Sequence, residues 1–125
     1  MNLIIFCDGG ARGNPGPAAS AFVIKDEKGR LMASEGFYIG NTTNNQAEYK
    51  AVLFAFSYLE NNKNSIDSIN FFLDSELVVH QLTGRFKIRN KNLQPIATAI
   101  KRKEQTLGVP VVYRAIPREK NKEAD

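Results

Sequence analysis

The spacing of apolar and polar residues predicts strands in the first third of the chain. Residues 2–7, NLIIFC, are almost continuously apolar and rich in β-branched side chains, which is typical of a central strand covered on both faces. Residues 18–26 and 31–40 lie on either side of the short polar sequence EKGR, which predicts a hairpin. We therefore expect three antiparallel strands at the start of the fold.

Helical spacing begins after these strands. In residues 41–62, apolar side chains three and four positions apart form one broad face, and Thr43 with Gln46 matches the spacing of a capping box. The later segments predict, in order, a strand, a short helix, a longer helix and a last strand: residues 65–74, 75–84, 92–108 and 109–117. Pro95 falls in the first turn of the longer helix, where no backbone donor is missed.

This order of elements predicts an α/β fold with a five-stranded mixed sheet flanked by helices. The hairpins supply the antiparallel strands, and right-handed crossovers through helices supply the parallel ones. We expect residues 1–125 to form a single domain. No apolar run has the length of a membrane span and no signal peptide is evident, so the expected location is the cytoplasm. Cys7 is the only cysteine, which excludes an internal disulfide and a cysteine-based zinc site, and it is interpreted as a core residue.

Charge is unevenly distributed along the chain. The 17 basic and 13 acidic residues give a net charge of +4. Residues 1–84 contain six basic and nine acidic groups, a net −3, whereas residues 85–125 contain eleven and four, a net +7. This asymmetry is compatible with an acidic centre held against a polyanion by a basic rim, or with an ordinary solvated lysine-rich surface.

Acidic residues fall at positions that the predicted topology brings together. Asp8 ends the first strand and Asp74 ends the strand INFFLD, and the carboxyl ends of neighbouring parallel strands coincide. Glu48 lies in the first turn of the first helix, on the stripe that faces the sheet. Asp125 follows the last strand by enough chain to turn back over the same edge. The sequence therefore predicts a cluster of carboxylates at one edge of the sheet.

Each acid also has a purely structural explanation. Asp8 before glycine is typical of a turn, Glu48 could form a capping box with Asn45, Asp74 could cap the next helix, and Asp125 could be an unconstrained terminal residue. Their convergence favours a different interpretation. Clustered carboxylates are costly unless a cation neutralises them, and all-oxygen ligation favours Mg²⁺ or Mn²⁺ over zinc or copper. Two such ions suit phosphodiester hydrolysis.

Four sequence blocks, in this order and spacing, resemble the ribonuclease H family of type 1 across essentially the whole chain. They are DGGARGNPGPAASAFVI, TTNNQAEYKAV, FFLDSELVVHQLTGRFKIRNKNLQPI and PREKNKEAD. The resemblance implies an endonuclease that cuts the RNA strand of RNA–DNA hybrids with two Mg²⁺ or Mn²⁺ ions, leaving 3′-hydroxyl and 5′-phosphate ends. It also implies that Asp8 bridges the two ions, that Glu48 and Asp74 complete the first metal site, and that Asp125 completes the second.

The glycine-rich segment then gains an expected role in reading the substrate. RNA differs from DNA by the 2′-hydroxyl in its shallow minor groove, which backbone groups reach where no side chain intervenes. The glycines expected to allow this approach are Gly9, Gly10 and Gly13. The resemblance also implies contacts to base edges or ribose by Asn14, Asn44 and Asn45 and to a DNA phosphate by Thr43. Helix capping and turn formation are the alternative roles of these polar residues.

The chain differs from the family pattern in the segment that often carries a basic helical handle. Only GRFKIRNKN stands there, so the handle is expected to be absent or reduced to a loop. Phosphate contacts are still expected from four basic residues: Arg85, Lys87, Arg89 and Lys91. Phe86 is predicted either to pack on a DNA sugar or to enter the core. We expect weaker and more salt-sensitive binding of the hybrid.

Two further differences concern the end of the chain. The family often has a loop histidine shortly before the fourth acid, whereas His80 follows Asp74 and is interpreted as a helix-surface or packing residue. The corresponding segment carries basic residues instead: Arg114, Arg118 and Lys120. Relatives usually continue into a helix after the fourth acid, so Asp125 is expected to be mobile or the sequence trimmed. Reduced activity or a stronger preference for Mn²⁺ is the expected consequence.

Two alternatives to a free-standing hybrid endonuclease stay open. The first is the ribonuclease H domain of a reverse transcriptase, although Met1 followed at once by a strand favours a free-standing protein. The second is a module that binds hybrid or double-stranded RNA without cutting it, which the presence of all four acids argues against. The expected partner is an RNA–DNA hybrid duplex, and we expect a monomer with no obligatory protein partner and no membrane association.

Overall fold

The fold is built on one mixed sheet of five strands. The computed structural model describes residues 1–62 and 65–121. The strands are β1 (Asn2–Ala11), β2 (Gly16–Lys25), β3 (Leu31–Thr42), β4 (Ser68–Leu73) and β5 (Val111–Ala115). Their order in the sheet is β3-β2-β1-β4-β5, with β1, β2 and β3 antiparallel and with β4 parallel to both β1 and β5. The predicted mixed sheet is confirmed.

Three helices connect or follow these strands. They are α1 (Asn44–Asn61), α2 (Glu76–Leu82) and α3 (Gln94–Leu107), and a short 3-10 turn, Arg118–Lys120, follows β5. The Thr43 hydroxyl caps α1 by accepting a hydrogen bond from the Gln46 N–H at 3.2 Å. The Ser75 hydroxyl caps α2, so the alternative role of Asp74 as that cap is wrong. Glu48 likewise has no capping box with Asn45, because the helix already begins at Asn44.

The core lies between the sheet and the helices. Alternate residues of β1 and β4 face it, so that Leu3, Ile5 and Cys7 pack with their counterparts on β4 and with α1. Cys7 is fully buried, as predicted for a core residue, and burial raises the pKa of its thiol well above the usual value. Among the described residues, no helix is both long enough and apolar enough to span a bilayer.

Asp8 does not end strand β1, contrary to the sequence prediction. The strand continues to Ala11 because β2 keeps pairing with it, from Asp8 opposite Ala21 to Ala11 opposite Ala18. The parallel ladder between β1 and β4 stops earlier, at Phe6. Asp8 therefore lies just beyond the point where β4 stops pairing with β1, on the part of β1 that continues to pair with β2.

Gly9 allows helix α1 to rest directly on the backbone of the sheet. A methyl group at this position would lie 2.3 Å from the carbonyl carbon of Ala47 and 2.4 Å from the nitrogen of Glu48. Ser20, opposite Gly9 on β2, donates its buried hydroxyl to the Ala47 carbonyl at 2.6 Å. A glycine and a serine thus fix the first turn of α1 against β1 and β2.

The segment between α2 and α3 contains turns and no helix, so the expected absence of the basic handle is confirmed. His80, near the end of α2, packs its ring against Phe86 with centroids 4.8 Å apart. This agrees with the interpretation of His80 as a packing residue.

The contact at Gly9 predicts a large difference between two adjacent glycines. In Gly9→Ala the new methyl group would meet backbone atoms that cannot move aside, so we expect the free energy of unfolding to fall by about 2 kcal/mol or more. In Gly10→Ala the nearest atom is the Asn44 Oδ1 at 3.8 Å, an ordinary contact, and a change within about 1 kcal/mol is expected. Urea unfolding of both variants measures the difference, and equal stabilities would contradict the account.

Candidate active site

Three carboxylates meet at the edge of the sheet. Asp8 of β1, Glu48 of α1 and Asp74, the residue after β4, each offer an oxygen, and these oxygens lie within 4.8 Å of one another. The two aspartates come together just beyond the point where β4 stops pairing with β1, and the close packing of α1 at Gly9 adds Glu48. The structure thus brings together three of the four acids that the sequence predicts, while Asp125 lies outside the described residues.

Glu48 is the buried member of the cluster. Its side chain is 7% exposed, and its Oε2 has no hydrogen-bond partner among the described residues. Burial raises its pKa to about 9, with further contributions from the hydrogen bond to Asp74 and from the charges of Asp74 and Asp8, whereas the Arg118 cation opposes the shift. An unpartnered carboxylate oxygen among other carboxylates is the chemistry that a divalent cation satisfies, and an all-oxygen donor set fits Mg²⁺ or Mn²⁺.

A single cavity of about 880 Å³ extends from the carboxylates over the surface of the sheet. Backbone and small side chains form much of its lining along β1 and β2, from Gly9 to Ala11 and from Pro17 to Ala19. Arg12, Tyr38, Asn44 and Arg118 line it as well. The cavity is open to solvent, as a site for a polymer must be.

Three of the residues predicted to bind nucleic acid line this cavity: Gly9, Gly10 and Asn44. The Asn44 Oδ1 accepts a hydrogen bond from the Ala11 N–H at 2.7 Å, and the Asn44 N–H donates to the Asn14 Oδ1 at 3.0 Å. These bonds tie the glycine-rich segment to the start of α1. Each of the two asparagines still has an amide NH₂ without a partner in the described part of the chain.

Four other predicted contact residues near the start of α1 or in the glycine-rich segment are not part of the cavity lining: Gly13, Asn14, Thr43 and Asn45. Gly13 lies in the turn after β1 with a φ of +71°, a conformation that favours glycine. Thr43 is the cap of α1, so its hydroxyl oxygen already accepts an internal hydrogen bond.

The basic segment after α2 lies apart from the cavity. Arg85, Phe86 and Lys87 are exposed, and none of them contributes to the cavity lining. Phe86 is 50% exposed, so the alternative that placed it in the core is wrong. Its ring rests on His80 and presents its other side to solvent.

Three polar or aromatic residues of the site were not predicted from the sequence: Arg12, Tyr38 and Asn121. Asn121 is 1% exposed and donates its Nδ2 hydrogen to the Cys7 carbonyl at 2.8 Å, which fixes the segment after β5 beside Asp8. Neither its residue type nor its polar surroundings indicate burial, so only a known motif would have identified it. Tyr38 lines the cavity from β3, and strand periodicity indicates its face but not that the groove reaches it.

A family model and several curated relatives match the sequence of this chain. The model of a family described as reverse transcriptase-like matches residues 6–125. Ribonuclease HI of Halobacterium salinarum is 40% identical over 89 residues, covering 71% of this chain and 44% of the relative. A bifunctional protein of Mycobacterium tuberculosis is 32% identical over an alignment of 133 positions, which covers the whole chain and 34% of the relative. The chain thus spans less than half the length of these curated relatives.

A solved structure agrees over nearly all of the chain. LC11-RNase H1, obtained from compost by a metagenomic approach and solved in complex with an RNA/DNA hybrid, superimposes with a TM-score of 0.93 at 40% identity. The match covers 98% of this chain and 91% of that one. The chain therefore belongs to the reverse transcriptase-like family and, within it, to the type 1 ribonucleases H.

Proposed function

We propose that residues 1–125 form a single ribonuclease H domain that hydrolyses the RNA strand of RNA–DNA hybrids and leaves 3′-hydroxyl and 5′-phosphate ends. The observation that carries this proposal is the meeting of Asp8, Glu48 and Asp74 in an open groove. The hybrid bound by LC11-RNase H1 supports the substrate class.

The three acids would hold divalent cations. Asp8 is proposed to contact two ions, with Glu48 and Asp74 completing one site and Asp125 the other. Mg²⁺ or Mn²⁺ bound there supplies the Lewis acidity that lowers the pKa of a water nucleophile and stabilises the leaving 3′-oxygen. The unpartnered Oε2 of Glu48 is the feature of this chain that favours such a ligand.

Asn121 supports the place of Asp125 in this set. It is bonded to the carbonyl of Cys7, the residue before Asp8. Four residues of chain reach at most about 14 Å, which is enough to return a carboxylate to the cluster. The hydrogen bond of Asn121 is therefore proposed to hold the C-terminal segment within reach of the second metal site.

The substrate would lie along the groove with its RNA strand over the acids. The backbone at Gly9, Gly10 and Gly13 is proposed to read ribose 2′-hydroxyls, because the absence of side chains leaves peptide groups accessible. Asn14, Asn44 and Asn45 are proposed to donate to base edges or ribose, and Thr43 to contact a DNA phosphate.

Cations beside the acids would bind the remaining phosphates. Arg118 lies near enough to Glu48 to affect its pKa, so its guanidinium can hold a phosphate next to the cluster. Arg85 and Lys87 would contact the DNA backbone, with Phe86 packing on a sugar.

We further propose a monomer in the cytoplasm, where a reducing environment suits a free thiol such as Cys7.

Cleavage of a labelled hybrid tests this function. With Mg²⁺ or Mn²⁺ we expect cleavage of the RNA strand and none with chelator, and Asp8→Asn or Asp74→Asn should lower the rate by more than about a hundredfold because a ligand is lost. Glu35→Gln is the control, since it removes an exposed carboxylate outside the groove. Undiminished cleavage by both aspartate variants would refute the metal sites, and binding without cleavage in either metal would favour the non-cleaving module.

The raised pKa of Glu48 predicts a pH-dependent cost in the metal-free protein. Because the folded-state pKa of about 9 exceeds the ordinary value of 4.5, folding is disfavoured progressively as the pH rises from about 4.5 to about 9. We therefore expect Glu48→Gln, in chelator, to melt at least about 4 °C above the wild type at pH 8 and equally at pH 4. Thermal melts measured by circular dichroism check this, and a lower melting temperature for the variant at pH 8 would contradict it.

The basic segment after α2 should add a salt-dependent contribution to binding. Lys87→Gln removes one proposed phosphate contact, so the slope of log Kd against log salt should fall by about 1. Lys28→Gln makes the same charge change in the hairpin at the opposite end of the sheet and should leave the slope unchanged. Fluorescence anisotropy with labelled hybrid at several salt concentrations measures both variants, and equal slopes would exclude a phosphate contact by Lys87.

A further inference from the structure

The groove continues past the carboxylates, across β2, and ends at β3. Gly10 of β1 pairs with Ala19 of β2, which in turn pairs with Tyr38 of β3, so the three residues form one row across the sheet. All three line the cavity that contains the acids. Gly10 and Ala19 contribute little side chain to this row, and Tyr38 contributes an aromatic ring at its β3 end.

Tyr38 has no packing role in the described part of the chain. Its side chain is 74% exposed, the most of any large apolar residue in this part of the protein. No ring contact or hydrogen bond of Tyr38 is formed with residues 1–62 or 65–121. The ring faces of Tyr38 are therefore free to contact a ligand that lies in the groove.

The position of Tyr38 fits a nucleotide of the strand that passes over the acids. Neighbouring strands are about 4.8 Å apart, so Tyr38 lies about 10 Å from Gly10, and Asp8 is two residues further along β1. The separation of Tyr38 from Asp8 is then about 12 Å, or roughly three nucleotides at a rise of about 3.4 Å. Arg12 lines the same cavity and places a cation beside this path.

The order of strands in the sheet places Tyr38 and the basic segment after α2 on opposite sides of β1. Tyr38 lies on the β2 and β3 side of β1, whereas Asp74, α2 and the basic segment lie on the β4 side. A duplex centred on the acids would therefore present one flank to Tyr38 and the other flank to Arg85 and Lys87.

We propose that Tyr38 is a packing platform for a ribose of the RNA strand of the hybrid, a few nucleotides from the cleaved linkage. This inference rests on the proposed function and adds a substrate-binding residue to it. The bases of a duplex are stacked on one another, so the ring would pack on a ribose, a contact that needs the aromatic surface and not the hydroxyl.

Binding of uncleaved hybrid tests the platform in the Asp74→Asn background, where the strand stays intact. Loss of this aromatic contact in Tyr38→Ala should weaken Kd by about threefold to tenfold, and Tyr38→Phe should stay within about twofold. Leu31→Ala is the matched control, because Leu31 is 64% exposed on the same strand but outside the groove. Equal Kd values for Tyr38→Ala and Leu31→Ala, or an equal loss in Tyr38→Phe, would overturn the platform.

Truncated hybrids separate direct contact from an indirect structural effect. Hybrids are shortened to end one nucleotide beyond the cleaved linkage, on the 5′ side or on the 3′ side. One of the two truncations should abolish the difference in Kd between the protein with Tyr38 and the Tyr38→Ala variant. A difference in Kd that persists with both truncated hybrids would overturn the proposal. Cleavage of full-length hybrid by the unmutated protein is measured alongside: no cleavage would refute the proposed function, whereas cleavage without a Tyr38 effect refutes the platform alone.

Discussion

The site depends on one close approach, that of the first turn of α1 to the backbone of β1 at Gly9. No side chain separates the two there, and the Ser20 hydroxyl holds the Ala47 carbonyl in place. Glu48 is the next residue of the helix, so its carboxylate is carried inside the protein beside two aspartates of the sheet. A residue larger than glycine at position 9 would move the helix, and with it the buried member of the cluster.

The burial of the Glu48 carboxylate beside two aspartates is an unfavourable interaction in the candidate active site. A buried glutamate with one unpartnered oxygen is destabilising in the metal-free protein, and neighbouring carboxylates increase the cost. A divalent cation would reverse the sign of the same interaction. The surrounding fold can support this cost because α1 is fixed by a capped N-terminus and by its contact with two strands, neither of which depends on a bound ion.

The sequence predicts most of this fold because its periodicities are clear: apolar strands, an amphipathic first helix and parallel crossovers lead directly to the adjacency of Asp8 and Asp74. The error at Asp8 arose because a glycine-rich sequence is typical of a turn, whereas here pairing with β2 extends β1 to Ala11. Gly9 was assigned to substrate approach, and its contact with α1 was not predictable, because a missing side chain does not specify what fills the space. The burial of Asn121 depends on a tertiary hydrogen bond that no local pattern encodes.

The carboxylate cluster is proposed to hold metal ions against the RNA strand of a hybrid. The most direct measurement is a crystal structure of the Asp74→Asn variant with uncleaved hybrid and Mn²⁺, with the ions located by anomalous scattering. We expect anomalous density in contact with Asp8 and Glu48, with a phosphate of the RNA strand beside it. Hybrid seated elsewhere on the protein, or a groove with RNA in place and no anomalous density at these carboxylates under saturating Mn²⁺, would contradict the proposal.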